Sequence, residues 1–499
     1  MERNSQYISQ QLNILNPIDG NYMKNLALWT LLLLLFSCAE EKKEEKAQPN
    51  IIYILADDLG YGDLSCYGQQ NFQTHHLDNL ARQGMKFTQH YSGSTVCAPS
   101  RSSLMTGLHT GHTPIRGNKE LEIEGQVSLP ASSLTLAELL KNAGYKTGAF
   151  GKWGLGFTGE EGDPNKQGFD EFYGYNCQRM AHRYYPPYLW KNETKVFLNG
   201  NDWTNTVTYA PDKIQEATLR FIEENKDTTF FAYVPLVLPH AELISPNDSL
   251  LQQFQGKFAE KPYLPTNPYT SDYGPDIIPQ QYCSQDSPYA VFASMVTRLD
   301  AYVGQIVSKL EELGIKKNTI IMFASDNGPH EEGGANPEFF NSAGGLRGVK
   351  RDLYEGGIRT PMIVVWPDKV KAGSTSHHIS AFWDIMPTCA EIAGVQLISE
   401  TDGISFLPEL LGQPAQKKHE YLYWEFSERG GRQAIRMGDW KAIVYDLQKD
   451  PNPKIQLYNL AEDEWENNDI SSEHPEIVSK MTLLMKDARV ESKVFPLFN

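Results

Sequence analysis

Asn50-Ile51-Ile52-Tyr53-Ile54-Leu55-Ala56-Asp57-Asp58 is an apolar run that ends in two adjacent carboxylates. Such a run reads as a strand buried on both faces; a strand with one face in water would alternate apolar and polar positions. The same pattern recurs downstream. Leu77–Arg82 reads as a short helix closed by Gly84 and followed by a strand at Met85–Thr88. Thr135-Leu136-Ala137-Glu138 is a capping box opening a helix that stops at Gly144, and Lys146–Phe150 is the next strand. Val291, Met295, Leu299, Tyr302, Ile306, Leu310 and Leu313 keep helical spacing up to Gly314. Thr319–Ala324 then runs as a strand into Asp326-Asn327-Gly328, Pro361–Trp366 is a further apolar run, and Trp383–Ile392 a further helix. Strand–helix alternation from residue 50 to 398 predicts an α/β fold: a large, mixed, mostly parallel sheet flanked by helices.

From residue 399 to 499 the pattern changes. Tyr421–Phe426, Gln433–Met437, Lys441–Tyr445 and Ile455–Asn459 read as short strands and Pro475–Ala488 as a helix, which predicts a smaller C-terminal α+β subdomain with a short antiparallel sheet. Lys261–Gln281, carrying Pro262, Pro265, Pro268, Pro275 and Pro279, is an irregular insertion of the kind that forms functional loops.

The chain carries 45 Lys+Arg against 62 Asp+Glu, a net charge of −17, which excludes a general nucleic-acid binder because such a protein needs a basic face. Six cysteines in 499 residues exclude a small disulfide scaffold. Residues 1–22 are polar, without targeting character, and read as a mis-called leader ahead of a true start at Met23. Lys24, the apolar run Leu26–Phe36 and Ser37 make residues 23–37 a signal peptide, too short to span a bilayer as a mature helix. Leu35-Phe36-Ser37-Cys38 resembles a bacterial lipobox, so Cys38 is the expected lipidation site and Ala39–Pro49 a solvated tether. The expected location is the cell envelope, periplasmic or exposed on the outer-membrane surface, with the membrane reached by the lipid anchor only. An uncleaved anchor helix is the alternative.

Open α/β sheets bind ligands at the carboxyl ends of their strands. Asp57, Asp58, Asp326 and Asn327 all fall at such ends. Three carboxylates and an amide oxygen brought together repel one another unless a cation lies between them. All-oxygen ligation suits Ca2+ or Mg2+ and disfavours Zn2+.

Val96-Cys97-Ala98-Pro99-Ser100-Arg101-Ser102-Ser103-Leu104-Met105-Thr106-Gly107 is the most informative stretch. Pro99 suits the first turn of a helix continuing to Thr106, so Cys97 stands near a helix N-terminus, where its pKa is expected to fall; Arg101 returns towards it one turn on. By residue type alone, a buried structural Cys beside an exposed Arg is the simpler reading. The stretch, however, matches the signature C-x-P-S-R-x-x-L-x-T-G. The chain thereby resembles the type I, formylglycine-dependent sulfatases of the alkaline phosphatase superfamily, and bacterial lipoprotein carbohydrate sulfatases in particular. Further motifs resemble the family in the same order. Asn50–Gly62 is similar to its opening strand with two metal Asp residues, Asp326-Asn327-Gly328 to its second metal pair, and Gly151-Lys152-Trp153 to its catalytic Lys motif. Pro239-His240 is similar to its active-site His, and Leu346–Lys350 with Tyr354–Arg359 to the segment bearing a second sulfate-binding Lys.

The resemblance implies an alkaline phosphatase-like fold and oxidation of Cys97 to formylglycine by a formylglycine-generating or sulfatase-maturating enzyme. It implies Ca2+, with Mg2+ the alternative, on Asp57, Asp58, Asp326, Asn327 and residue 97. Arg101, Lys152 and Lys350 would hold the sulfate, and His240 would protonate the leaving oxygen. The hydrated aldehyde has two hydroxyls: one attacks sulfur, and later deprotonation of the other collapses the adduct, so no second sulfate ester has to be hydrolysed. One position departs. The family usually has His where this chain has Gly154, so either another His replaces it, with His182, His330 and His112 nearest by motif, or the site works without it.

Gln178–Tyr185 mixes cations and aromatics and is followed by Trp190, which makes Arg179, His182, Arg183 and Trp190 candidate sugar contacts; Arg347, His330 and Arg116 are further ones. A Tyr/Pro-rich packing loop is the plain alternative. The resemblance implies a sulfated oligo- or polysaccharide substrate, with galactose- or N-acetylgalactosamine-type units of an algal galactan or a glycosaminoglycan. Three rivals stand: a phosphodiesterase or phosphonate monoester hydrolase of the same superfamily, a surface glycan-binding lipoprotein whose Cys97 is never oxidised, and a scavenger of small aryl sulfates indifferent to oligosaccharides. The net charge does not count against an anionic substrate, because it describes the far field while Arg101, Lys152 and Lys350 converge on the pocket.

Overall fold

The computed structural model describes residues 48–121, 124–265 and 282–498. Eleven strands form one sheet: β1 (Asn50–Ala56), β2 (Met85–Tyr91), β3 (Lys146–Lys152), β4 (Glu171–Tyr175), β5 (Tyr188–Lys191), β6 (Thr194–Phe197), β7 (Phe230–Pro235), β8 (Thr319–Ser325), β9 (Arg359–Val365), β10 (Ser374–Ser376) and β11 (Ser380–Ala381). Their order is β10-β2-β9-β8-β1-β7-β3-β4-β5-β6, with β11 paired to β2. β1 sits centrally, buried along its whole length, and pairs in parallel with both β7 and β8. β9 enters antiparallel between β2 and β8, and the β5–β6 hairpin forms the opposite edge. The sheet is mixed and mostly parallel, the class its central apolar run implies.

Alternate residues of β1 feed two different cores. Ile52, Ile54 and Ala56 pack with α1 (His75–Gln83), α4 (Ala210–Glu224) and α5 (Pro288–Glu312). Ile51, Tyr53 and Leu55 pack with α2 (Cys97–Thr106), α3 (Leu136–Asn142) and α6 (Ile385–Ala393). The strand period of two therefore sends one sequence run to helices on both faces. The capping box of α3 forms as read: Thr135 Oγ1 accepts from the Glu138 N–H at 3.1 Å, and the Glu138 carboxylate accepts from the Thr135 N–H at 3.0 Å. β4, β5 and β6 escaped the sequence reading because strands of 5, 4 and 4 residues are too short to display a period.

A second, antiparallel sheet is ordered β12 (Leu422–Phe426), β13 (Arg432–Met437), β14 (Trp440–Tyr445), β15 (Ile455–Asn459). Ile435, Ala442 and Leu457 on one face pack against Met481 and Met485 of α7 (Pro475–Asp487). On the other face Trp424, Ala434, Ile443 and Tyr458 join Tyr91, Leu353, Ile358 and Trp383, so this sheet shares a core with the large one. Residues 48–499 accordingly cluster as one compact unit. Among the described residues no helix is long and apolar enough to cross a membrane. Residues 266–281 of the proline-rich insertion, and residues 1–47 with the signal peptide, Cys38 and most of the tether, lie outside the described residues.

Candidate active site

Ala56 of β1 is in register with Ser325 of β8, so the residues that follow the two strands meet. The Asp58 N–H donates to Asp326 Oδ1 at 3.0 Å, and Asn327 Nδ2 to Asp58 Oδ1 at 2.7 Å. All four of Asp57, Asp58, Asp326 and Asn327 are wholly buried. Cys97 is the first residue of α2, and its Sγ–H points at Asp57 Oδ1, 3.3 Å away. Lys152 ends β3 and reaches Asp57 Oδ2 at 2.8 Å. Gly151, one residue earlier, has to be glycine: a Cβ there would stand 1.9 Å from the Pro235 carbonyl oxygen. Lys350 Nζ lies 2.7 Å from Asp58 Oδ2 and 3.1 Å from His240 Nε2. The His240 Nδ1–H donates to the Ala241 carbonyl, which leaves Nε2 as the acceptor facing Lys350. The guanidinium of Arg101 turns onto Asp326 Oδ2 at 2.8 Å and the Lys152 carbonyl at 2.5 Å.

Burial disfavours every charge here, and the pairings decide which survive. At Asp57 burial would lift the pKa, but Lys152, His240 and Arg101 outweigh it and hold the carboxyl well below its usual range. Asp326 rises to about 7, through burial and the neighbouring Asp57, despite Arg101. Burial opposes the ammonium of Lys152 and of Lys350, yet Asp57 and Asp58 respectively keep both above the ordinary lysine value. Burial, then Lys350, pushes His240 well down, so its imidazole is neutral. The Cys97 thiol goes up, through burial and then Asp57. This corrects the expectation drawn from its helix N-terminus: a dipole end is outweighed when the thiol is buried against a carboxylate.

Asn327 Oδ1 is buried and has no hydrogen-bond partner among the described residues, while its Nδ2 donates to both Asp58 and the Gly328 carbonyl. Leaving a buried carbonyl oxygen unpaired costs about 1–3 kcal/mol. Ligand atoms of Asp57, Asp58, Cys97 and His240 lie within 4.8 Å of one another. Clustered carboxylates with an orphaned amide oxygen are the donor set of a hard divalent cation, and these residues fit one.

Two other predicted residues flank this cluster. His182 stacks on His240 with ring centroids 4.5 Å apart, and His330 lies 5.7 Å from the same ring with Nε2 at 3.1 Å from the Pro239 carbonyl. His112 is instead held by Asp402 at 2.9 Å. Gly154 adopts φ +80°, and a Cβ there would fall 2.0 Å from Gln178 Nε2. The Gln178 carboxamide thus fills the room a side chain at 154 would need, a replacement that sequence reading missed. The remaining candidates are each held by a partner within the fold. Arg183 is fully buried and paired with Glu242 at 2.6 Å. Arg116 bonds Glu425 at 2.9 Å and the Val490 carbonyl at 2.7 Å. Arg347 lies over the Tyr354 ring at 3.9 Å and donates to the Glu466 carbonyl. Trp190, in β5, is largely buried, packs against Phe157, donates to Glu124 and carries the Lys195 ammonium over its ring at 5.2 Å. Arg179, partly exposed, pairs with Glu120. Each of these sites offered a nearer structural partner, and a buried guanidinium must take one. Glu332, which bonds Arg351 and lies 3.4 Å from His330 Nδ1, was also missed.

Asp63, close by, is fully buried, accepts the Gly60 N–H at 2.8 Å and is raised to about 7 by burial. Its carboxyl binds a proton more tightly folded than unfolded, so stability falls as pH climbs from the ordinary 3.8 to about 7. Asp63→Asn is expected to melt at a higher temperature than the native chain at pH 8, with a smaller difference at pH 5. Equal shifts at the two pH values would refute the assignment.

Residues 49–395 match the sulfatase family, and residues 348–491 match the C-terminal region of N-sulphoglucosamine sulphohydrolase. The N-acetylgalactosamine-6-O-sulfatase of Bacteroides thetaiotaomicron is 30% identical over 94% of this chain and 99% of its own. The solved Ps i-CgsB in complex with k-i-k-neocarrahexaose is 28% identical, with a TM-score of 0.71 over 88% of this chain and 92% of that one. A protein solved in work on the metabolism of multiple glycosaminoglycans by Bacteroides thetaiotaomicron is 27% identical, with a TM-score of 0.69 over 88% of this chain and 99% of that one. The chain belongs to the sulfatase family. It is a sulfuric ester hydrolase.

Proposed function

We propose that the enzyme removes sulfate from a sulfated oligo- or polysaccharide, using residue 97 as formylglycine and a divalent cation, Ca2+ or alternatively Mg2+, held by Asp57, Asp58, Asp326 and Asn327. The observation that carries this reading is the orphaned Asn327 Oδ1 beside buried carboxylates, with Cys97 Sγ 3.3 Å from Asp57. The names of the Bacteroides N-acetylgalactosamine-6-O-sulfatase and of the neocarrahexaose complex support a sulfated galactose-type unit. A cation there supplies positive charge for the sulfate oxygens, and a hydrated aldehyde at residue 97 supplies the attacking hydroxyl.

The chain's own residues do the rest. Lys152 and Lys350 are buried ammoniums on Asp57 and Asp58, the two carboxylates that Cys97 Sγ faces, and are placed to neutralise an incoming sulfate and orient its sulfur. Arg101 is committed to Asp326 and the end of β3, so it positions a metal ligand and Lys152 rather than meeting sulfate directly. His240, oriented by Lys350 Nζ at 3.1 Å from its Nε2, is the residue that would protonate the leaving oxygen. Lys350 keeps its own proton against Asp58, and His240, neutral in the resting site, would act as the acid only once Nε2 has taken up a proton from solvent. The lipobox pattern supports an envelope location through Cys38; loss of fatty-acid labelling in Cys38→Ala tests it.

Chelation is expected to abolish sulfate release and lower the melting temperature, and added Ca2+ to restore both, because the cation binds the folded site alone. Insensitivity to a strong chelator would overturn the metal assignment. Sulfate release from positionally defined sulfated mono- and disaccharides, run beside phosphodiesters, tests the substrate class; turnover of the phosphodiesters alone would favour the phosphodiesterase alternative.

A further inference from the structure

We propose that Arg351 forms a second anion subsite beside the catalytic cluster, so that the preferred saccharide carries a further sulfate or carboxylate near the ester that is cleaved. The proposal rests on the sulfatase reading of the site given above. Arg351 follows Lys350 directly and adopts φ +80°, in the left-handed region that disfavours every side chain but suits glycine. Contacts outside the residue impose that backbone. Its N–H donates to the carbonyl of Thr95, two residues before Cys97, at 3.0 Å, and its carbonyl accepts from Arg432 Nη1 at 2.6 Å. A long cation kept where glycine would sit without strain points to a use for the side chain.

The Arg351 side chain is 23% exposed, unlike the wholly buried side chains of Arg101 and Arg183. Nη1 bonds Glu332, and among the described residues Nε and Nη2 have no hydrogen-bond partner. Glu332 fixes the head next to the reacting groups, since ligand atoms of Asp58, His330 and Glu332 lie within 4.8 Å of one another. The inner cations are each matched: Lys152 by Asp57, Lys350 by Asp58, Arg101 by Asp326. Glu332, by contrast, is shared between Arg351 and His330. An open guanidinium edge with fixed donor geometry accepts a planar carboxylate or two sulfate oxygens in parallel, which an ammonium cannot do.

The test compares two saccharides sharing the cleaved ester and differing in one additional sulfate or carboxylate. For the native enzyme kcat/KM is expected to be at least about tenfold higher on the doubly anionic member, the worth of a charge-assisted hydrogen bond. Arg351→Gly is expected to erase that preference, mainly through KM, and to remain folded, because glycine accepts φ +80° freely and Glu332 keeps His330 as a partner. Arg351→Lys is expected to recover only part of it. An unchanged preference in a stably folded Arg351→Gly, or no preference in the native enzyme, overturns the proposal. Absence of sulfate release from either saccharide and from a small aryl sulfate overturns the underlying reading as well.

Discussion

Cys97→Ala is expected to lower sulfate release by about a thousandfold or more while the fold persists, the usual scale for loss of a nucleophile. The side chain is buried and its neighbours are carboxylates and ammoniums that already pair with one another, so trimming it leaves no new unpaired charge. The same site makes a sharper statement about the native thiol. Burial and Asp57 hold it protonated, so an unmodified Cys97 is a poor nucleophile at neutral pH. Protein made without the maturating enzyme is therefore expected to be nearly as inactive as Cys97→Ala, and activity should track the fraction of formylglycine in the peptide spanning residue 97. Cys97→Ser, with one hydroxyl, is expected to stall after the first transfer. Full activity in protein whose Cys97 is shown by mass spectrometry to be an intact thiol would overturn the mechanism.

Lys441→Met is expected to destabilise the chain by about 3–5 kcal/mol, the cost of stranding buried charge. Lys441 Nζ, on β14, lies 2.8 Å from Glu355 Oε1 and 2.9 Å from Glu466 Oε1, with all three side chains shielded from water. Glu355 stands just before β9 and accepts from Tyr91 of β2 at 2.5 Å, so this triad joins the second sheet to the first. Burial would raise Glu355, but Lys441, Arg436 and Arg359 hold it at about 2; at Glu466 burial prevails and the carboxyl stands at about 7. Removing the cation leaves two carboxylates facing each other across a dry gap. Denaturant unfolding measures the loss, and Lys441→Met combined with Glu466→Gln should recover part of it. A loss below about 1 kcal/mol would mean that water reaches the triad.

Much of this architecture is written locally. The run Asn50–Ala56 became the central strand because an uninterrupted apolar stretch has no stable place except between two covered faces. Asp57, Asp58, Asp326 and Asn327 were legible as a group because each follows such a strand, and Cys97 because its motif is contiguous. The contacts that failed to show were those made across the fold. Arg183, Trp190, Arg116 and Arg347 have the residue types of a sugar site, yet Glu242, Glu124, Glu425 and the Glu466 carbonyl claim them. Gln178 filling the space at Gly154, and Glu332 reaching Arg351, join residues 24 and 19 positions apart through loops without a period to read.

The sequence by itself determined the class of sheet and the acidic strand ends, and it marked Cys97, Lys152 and Lys350 as candidates, since each rests on hydrophobic runs or on contiguous motifs. Only the tertiary structure decided the electrostatics. Whether a cation serves the substrate or the fold depends on which carboxylate lies nearest, and that follows from strand order: β8 and β7 flanking β1, with β3 next, bring Asp57, Asp326 and Lys152 together. It likewise decided that Cys97 is a protonated thiol despite its helix end, because burial beside Asp57 outweighs a partial charge.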